Sequence, residues 1–261
     1  MQFELEAACL CDMGRIRKNN EDNFYFDRQI LDEDNAGLNE PLCLHASEGA
    51  VCFAVFDGMG GHADGQTAAH LAARVFQRDC IPVERSKMLS ETFFSTAVRH
   101  MNDTVCIEAE RLNNNMGTTA VILGFCEESV YLCNVGDSRA YRFRQGQMTQ
   151  ISIDHTEVIP PFLRTARHKK PRLSQCIGIS SEELLLEPYL AQGAIESGDV
   201  FLLCSDGLSD MVMPDEISRV LGSGQNADEC VRALIELALS HGGKDNITVI
   251  VIRVLESRGS D

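Results

Sequence analysis

Residues 118–144 read Thr-Thr-Ala-Val-Ile-Leu-Gly-Phe-Cys-Glu-Glu-Ser-Val-Tyr-Leu-Cys-Asn-Val-Gly-Asp-Ser-Arg-Ala-Tyr-Arg-Phe-Arg. The stretch holds consecutive runs rich in Val, Ile, Leu, Phe and Tyr, at Thr118–Phe125, Val130–Val135 and Ala140–Arg144. Such residues fit the pleated, buried surface of a strand, and no helical period separates the runs. Gly136-Asp137-Ser138 has the composition of a hairpin turn. Strands that follow one another without intervening helices predict antiparallel sheet.

Working outward, similar runs lie at Phe3–Leu10, Phe24–Asp27, Val51–Phe56, Val200–Cys204 and Ile247–Val254. Helical periodicity is confined to other segments. Gln66–Cys80 places Ala69, Ala72, Ala73 and Phe76 on one face, and Ser90–Glu110 does the same with Phe94, Ala97, Val98, Met101 and Val105. Ala227–Ser240 is a further helix, with Asn226 as its N-cap. Strands in runs and helices in groups predict an α+β protein of antiparallel sheet covered by helices. No linker, repeat or low-complexity tract divides the chain, so residues 1–261 are expected to form a single domain. The stretches Asp32–Glu40 and 154–180 read as long loops, which are often functional.

Composition narrows the function. With 44% hydrophobic and 24% charged residues, the chain can bury an ordinary core. Its net charge of −16 repels nucleic acid and anionic membrane and attracts divalent cations. The acidic opening Met1-Gln2-Phe3-Glu4 is unlike a secretion signal, no run approaches the ~20 apolar residues of a membrane span, and a cytoplasmic location is expected. The 11 cysteines include no Cys-x-x-Cys pair, and several, among them Cys52, Cys126, Cys133 and Cys204, sit in apolar runs. They read as reduced core residues.

Aspartates mark the ends of the strands. Val51–Phe56 runs into Asp57-Gly58, Val200–Cys204 into Ser205-Asp206-Gly207, and Val130–Val135 into Gly136-Asp137. Glu21-Asp22 and Asp245-Asn246 stand just before other strands. Ends and starts share an edge of an antiparallel sheet, so Asp22, Asp57, Asp137, Asp206 and Asp245 are expected to meet at one edge. Two carboxylates ~4 Å apart repel by roughly 4 kcal/mol at an effective dielectric near 20, so such a cluster needs protons or cations. An all-oxygen ligand set selects Mg²⁺ or Mn²⁺ over zinc, and two such ions sharing a water can drive displacement at phosphorus.

The segments Asp12–Asp22, Phe53–His62, Met116–Ala120, Asn134–Arg139, Leu203–Leu208 and Lys244–Thr248 resemble, in order, the motifs of the metal-dependent (PPM, type 2C) serine/threonine protein phosphatases, in particular the compact bacterial members. The resemblance covers residues 5 to 253. It implies a four-layer α-β-β-α sandwich of two largely antiparallel sheets flanked by helices. It also implies hydrolysis of phosphoserine and phosphothreonine by direct attack of a metal-bridging water.

By the same resemblance, Asp57 bridges two divalent ions, Mn²⁺ or Mg²⁺, with the Gly58 carbonyl as a further ligand. Asp206 and Asp245 bind one ion; Asp22 binds the other, with Glu21 acting directly or through water. Asp137 belongs to a weaker third site. Arg17 grips the substrate phosphate. Met59 stands where larger relatives carry a histidine, and His62 is the candidate general acid. The flap at about 154–180 looks shortened, and it carries a basic cluster, Arg164, Arg167, Lys169, Lys170 and Arg172, suited to guiding acidic phosphopeptides. The implied partners are phosphorylated proteins and a cognate kinase, and a signalling enzyme that works as a monomer is expected.

Two other readings compete. Gly58-Met-Gly60-Gly-His-Ala63 also fits the Gly-x-Gly-x-x-Ala fingerprint of a dinucleotide-binding module, although Asp57 would aim a carboxylate at the pyrophosphate. A catalytically inactive, phosphatase-like regulatory domain would keep the fold and lose the ligands, and here Asp57, Asp206, Asp245 and Arg17 are intact.

Overall fold

A computed structural model describes residues 3–47, 49–60, 64–158, 171–180 and 184–256. Residues 118–144 supply β6 (Ala120–Cys126), β7 (Ser129–Val135) and β8 (Arg139–Arg144). β6 and β7 make a hairpin in which Ala120 faces Val135. β8 departs from expectation. Gly136-Asp137-Ser138 does not close a second hairpin but carries the chain into another sheet, where β8 pairs with β9 (Gln147–Gln150) and β11 (Val200–Cys204). Gly136 makes this crossing at φ 99, and a side chain there would bring its Cβ to 2.6 Å from Thr119 Cγ2.

The first sheet has the order β10-β7-β6-β4-β2, built with β2 (Asp22–Phe26), β4 (Ala50–Gly60) and β10 (Tyr189–Ala194). A short β5 (Met116–Thr118) pairs with the far end of β4. The expected strand Thr118–Phe125 is therefore broken at Thr119, whose backbone turns to meet Asp57. The second sheet has the order β3-β1-β12-β11-β8-β9, with β1 (Phe3–Asp12), β3 (Leu42–Ala46) and β12 (Ile247–Glu256). Every ladder among the described strands is antiparallel.

The two sheets stack face to face. Between them lie Phe24, Phe26, Phe53, Phe125, Phe201 and Leu203, all 0% exposed. Their neighbours in sequence, Tyr25, Ala54 and Phe56, point the other way and pack under α1 (Asp64–Ser86) and α2 (Glu91–Leu112). On the opposite side α4 (Pro214–Leu221) and α5 (Ala227–Ser240) cover the second sheet. Both faces of the central strands are thus buried, which is why they read as continuous apolar runs rather than as alternation. Each fully buried Leu or Phe contributes about 1.5–3 kcal/mol, so this core dominates stability. The result is the expected four-layer sandwich.

Helix boundaries follow their caps. Asn226 accepts from Glu229 N at 2.8 Å while Glu229 Oε2 accepts from Asn226 N at 3.2 Å, which starts α5 where the sequence predicts. α1 runs past the expected end at Cys80, because Glu84 is anchored beneath it. Tyr25 Oη donates to Glu84 at 3.0 Å and Cys52 N at 2.9 Å. Among the described residues all cysteines are free; most are buried, but Cys43 is exposed and Cys106, Cys126 and Cys176 are half-buried. No described helix is long and apolar enough to cross a membrane.

Candidate metal centre

The carboxylates come together at one end of the sandwich, drawn from both sheets rather than from one edge of a single sheet. In the first sheet Asp22 stands opposite Asp57 in the β2–β4 ladder. β4 does not stop at Phe56 but continues through Asp57-Gly58-Met59-Gly60 against β5. Asp57 N donates to Thr119 Oγ1 at 3.0 Å, and its carbonyl accepts from Thr119 N at 2.9 Å and Thr118 Oγ1 at 3.0 Å. Gly58 N donates to Glu21 O at 3.0 Å. A Cβ on Gly58 would lie 2.0 Å from Gly65 O, so only glycine lets α1 approach the strand this closely.

From the second sheet come Asp206, at the start of the short helix α3 (Asp206–Ser209) after β11, and Asp245, just before β12. β11 and β12 are neighbours. Asn246 clamps the adjoining loop: its Nδ2 donates to Met13 O at 2.8 Å and Asn19 O at 3.0 Å, and its Oδ1 accepts from Glu21 N at 2.8 Å. Asp22 joins the sheets. It is 2% exposed and accepts from Ser205 Oγ and from Thr248 Oγ1, each at 2.7 Å. Asp137 sits 7% exposed on the crossing between sheets, beside Ser138, whose Oγ lies 2.6 Å from Thr119 Oγ1.

The electrostatics follow from this crowding. Burial pushes the Asp57 carboxyl well above the usual carboxylate range, and Asp206, Asp22, Asp137 and Asp245 push it further. Burial raises Asp22 to about 7, with Asp206 and Asp245 adding and the two hydroxyl donors opposing. Glu21 is raised by burial, against the pull of Arg17. Arg17 is a cation shared by two of these acids: its Nη2 donates to Asp245 Oδ2 at 2.6 Å, and its Nη1 lies 3.6 Å from Glu21 Oε2. Its side chain is 44% exposed, so it borders the cleft while leaning on the carboxylates.

One arginine cannot balance so many acids. An all-oxygen donor set, partly buried and self-repelling, is the chemistry that hard divalent cations satisfy. The residues therefore fit the group expected of them. Their oxygens do not collapse into a single knot: among the described residues the one group of ligand atoms mutually within 4.8 Å is Cys52, Cys80 and Glu84, beneath α1. Mutual repulsion and outward anchoring explain the spread, since Asp245 is turned to Arg17 and Asp22 to Ser205 and Thr248. Two ions ~3.5–4 Å apart divide such ligands between them rather than gathering all on one.

Asn246, Ser205, Thr248 and Thr119 hold the acids in place, yet sequence reasoning gives them no role. Their only signal is adjacency to Asp245, Asp206 and the Thr-Thr pair, and their partners are remote in sequence. His62, Arg164, Arg167, Lys169 and Lys170 lie outside the described residues. The start of the flap is fixed by Asp154, which accepts from Arg139 Nη2 at 2.7 Å, and by Glu157 N, which donates to Arg172 O at 2.9 Å. The dinucleotide reading fails on geometry: Gly58 and Gly60 are strand residues of an antiparallel ladder, not a turn between a parallel strand and its helix.

Comparison with known proteins points the same way. The family model for protein phosphatase 2C matches residues 33–233. The serine/threonine phosphatase stp of Listeria monocytogenes is 31% identical over 98% of this chain and 99% of its own length. The serine/threonine protein phosphatase PstP of Mycobacterium tuberculosis is 34% identical over 97% of this chain, which spans 45% of that longer protein. A crystal structure of the Mycobacterium tuberculosis enzyme superposes with a TM-score of 0.78 at 30% identity, covering 97% of this chain and 99% of that one. The PstP catalytic domain in complex with 2 manganese ions gives a TM-score of 0.76, also at 30% identity and over 97% of this chain and 99% of that one.

Proposed function

The chain belongs to the protein phosphatase 2C family, and from that premise we propose that Asp22, Asp57, the Gly58 carbonyl, Asp206 and Asp245 hold its catalytic metal ions. It is a metal-dependent protein serine/threonine phosphatase. One observation supports this assignment of ligands above others: the half-buried carboxyl of Asp57 feels the charges of Asp22, Asp137, Asp206 and Asp245 at once.

When bound, the divalent ions would acidify a water for attack on phosphorus and offset the charge of the phosphoryl oxygens. The chain's own residues do the rest. Asp57 is fixed on a rigid strand by Thr118 and Thr119, which holds it in register with Asp22 across the ladder. Glu21 contributes directly or through water. Arg17 has the forked geometry that grips a phosphate bidentately, and it reaches the cleft from the loop clamped by Asn246. Substrate would draw it from Asp245. Asp137 lies near enough to Asp57 to help hold a third, weaker ion.

We further read residues 1–261 as one catalytic domain acting as a monomer in the cytoplasm, in signalling, opposite a cognate kinase. Phosphorylated Ser and Thr side chains of proteins are the substrates, and Mn²⁺ or Mg²⁺ serves. The purified protein should release phosphate from a phosphothreonine peptide with Mn²⁺ and stop when EDTA is added. Asp57→Asn should lower the rate by about a thousandfold or more, since the ions supply several kcal/mol of transition-state stabilisation. Activity that survives both treatments would refute the assignment.

A further inference from the structure

Away from the carboxylates, the seam between the sheets opens into a cavity of ≈ 330 Å³. It lies where β10, at the edge of the first sheet, overhangs β8 and the end of β9 in the second. Its apolar wall is Val130, Leu132 and Phe201, which belong to the core between the sheets. That volume falls in the range of small-molecule sites.

Two features of the lining are costly unless something fills the space. The first is Arg142. It lies on the same face of β8 as Ala140, which is part of the inter-sheet core, so its side chain enters the cavity rather than solvent beyond the sheet. Two residues on, Arg144 is fully engaged: Nε and Nη2 donate to Asp199 at 2.6 Å each, Nη1 to Glu196 at 2.6 Å and Nη2 to Ala194 O at 3.0 Å. The Arg142 side chain has no hydrogen bond or ion pair among the described residues, its main chain being paired in the β8 ladders. A half-buried arginine that lines the cavity with Phe201 and Leu132 has lost part of its water without gaining an anion.

The second is Gly193. It stands in β10 opposite Val130, on the face shared with Tyr189 and Ala191, and a Cβ built on it meets nothing within 4 Å. A glycine inside a strand forfeits packing and adds chain entropy to the unfolded state, and no tight neighbour here demands one. Its open space lies over the same cavity that Arg142 enters.

We propose that this cavity binds a small amphipathic carboxylate, its head paired with Arg142 and its aliphatic or aromatic body laid on Val130, Leu132 and Phe201 beneath Gly193. Arg presents the planar fork that matches a carboxylate, while the floor offers nothing polar to the tail. No residue of the cavity is a ligand of the carboxylate centre, so the site is independent of the metals.

The test uses the full chain and octanoate as probe, read by displacement of 8-anilinonaphthalene-1-sulfonate fluorescence and by the thermal shift that native-state binding produces. Octanoate should displace the dye and raise the melting temperature, and octanol and octylamine should be at least tenfold weaker. Arg142→Gln should weaken octanoate at least tenfold while its own melting curve stays two-state. Gly193→Leu should abolish binding by filling the cavity; should it fail to fold, Arg142→Gln and the octylamine comparison decide alone. Absence of octanoate binding, equal affinity in Arg142→Gln, or octylamine competing as well as octanoate would each overturn the proposal.

Discussion

Thr248→Val replaces a hydroxyl by a methyl of nearly the same shape, in a residue that is 0% exposed. It removes one of the two 2.7 Å bonds that Asp22 accepts, leaving Ser205 as the remaining hydroxyl donor. A hydrogen bond to a charged group is worth about 1.5–3 kcal/mol, and this one favours the ionised form of Asp22. Burial already lifts Asp22 to about 7, and the variant must lift it higher. As a proposed ligand of Mn²⁺, Asp22 must be ionised to bind it. Below neutral pH the metal-free site is protonated, so binding must first remove that proton, and the variant pays the whole difference. At 1.36 kcal/mol per tenfold, affinity should drop by one to two powers of ten at about pH 6.5. Well above the raised pKa both proteins are ionised before the metal arrives, the hydroxyl helps free and bound states alike, and the deficit should shrink toward nothing. Calorimetric Mn²⁺ titrations at the two pH values measure this directly. A deficit that is equal at both, or missing at the lower one, would refute the reasoning.

The same raised pKa has a consequence for folding. Because Asp22 is higher folded than its ordinary 3.8, its contribution to stability is present below that value and lost as pH climbs through about 7, so metal-free melting temperatures should fall over this window and fall less in Asp22→Asn. Gly207→Ala would put a methyl 1.9 Å from Asn246 O, beside both Asp206 and Asp245. Displacement by about 1 Å costs on the order of a hundredfold in rate, and peptide turnover measured on a folded variant should show it. Glu84→Ala strands Tyr25 Oη and Cys52 N, at about 1–3 kcal/mol each. Together these cost about 2–6 kcal/mol, so its melting temperature should drop by roughly 4–24 °C, with turnover by the folded fraction unchanged.

Much of this was readable from the chain alone, and the reasons differ by element. The central strands announce themselves because both faces are buried, so Val51–Phe56 and Ile247–Val254 needed no partner to be recognised. β3, β9 and β10 did not, because they are short edge strands with exposed or half-buried residues and little apolar signal. Asp57, Asp206 and Asp245 were legible from their place at apolar runs. The sheet to which each belongs was not, since Gly136-Asp137-Ser138 has the same composition whether it closes a hairpin or crosses between layers. Asn246 and Thr248 escaped for a related reason: Met13, Asn19 and Asp22, their partners, are more than two hundred residues away in sequence. Side-chain clamps of that reach leave no local pattern.

β12 ties the second sheet to the carboxylate cleft. It lies in the middle of the second sheet, hydrogen-bonded to β1 on one side and β11 on the other, and it brings Asp245 and Thr248 with it. Until that late segment is threaded between its neighbours, Asp22 lacks a donor and the cleft lacks a ligand. A chain emerging during synthesis therefore lacks Asp245 and the Thr248 donor until β12 has been made, and its carboxylate centre is incomplete up to that point.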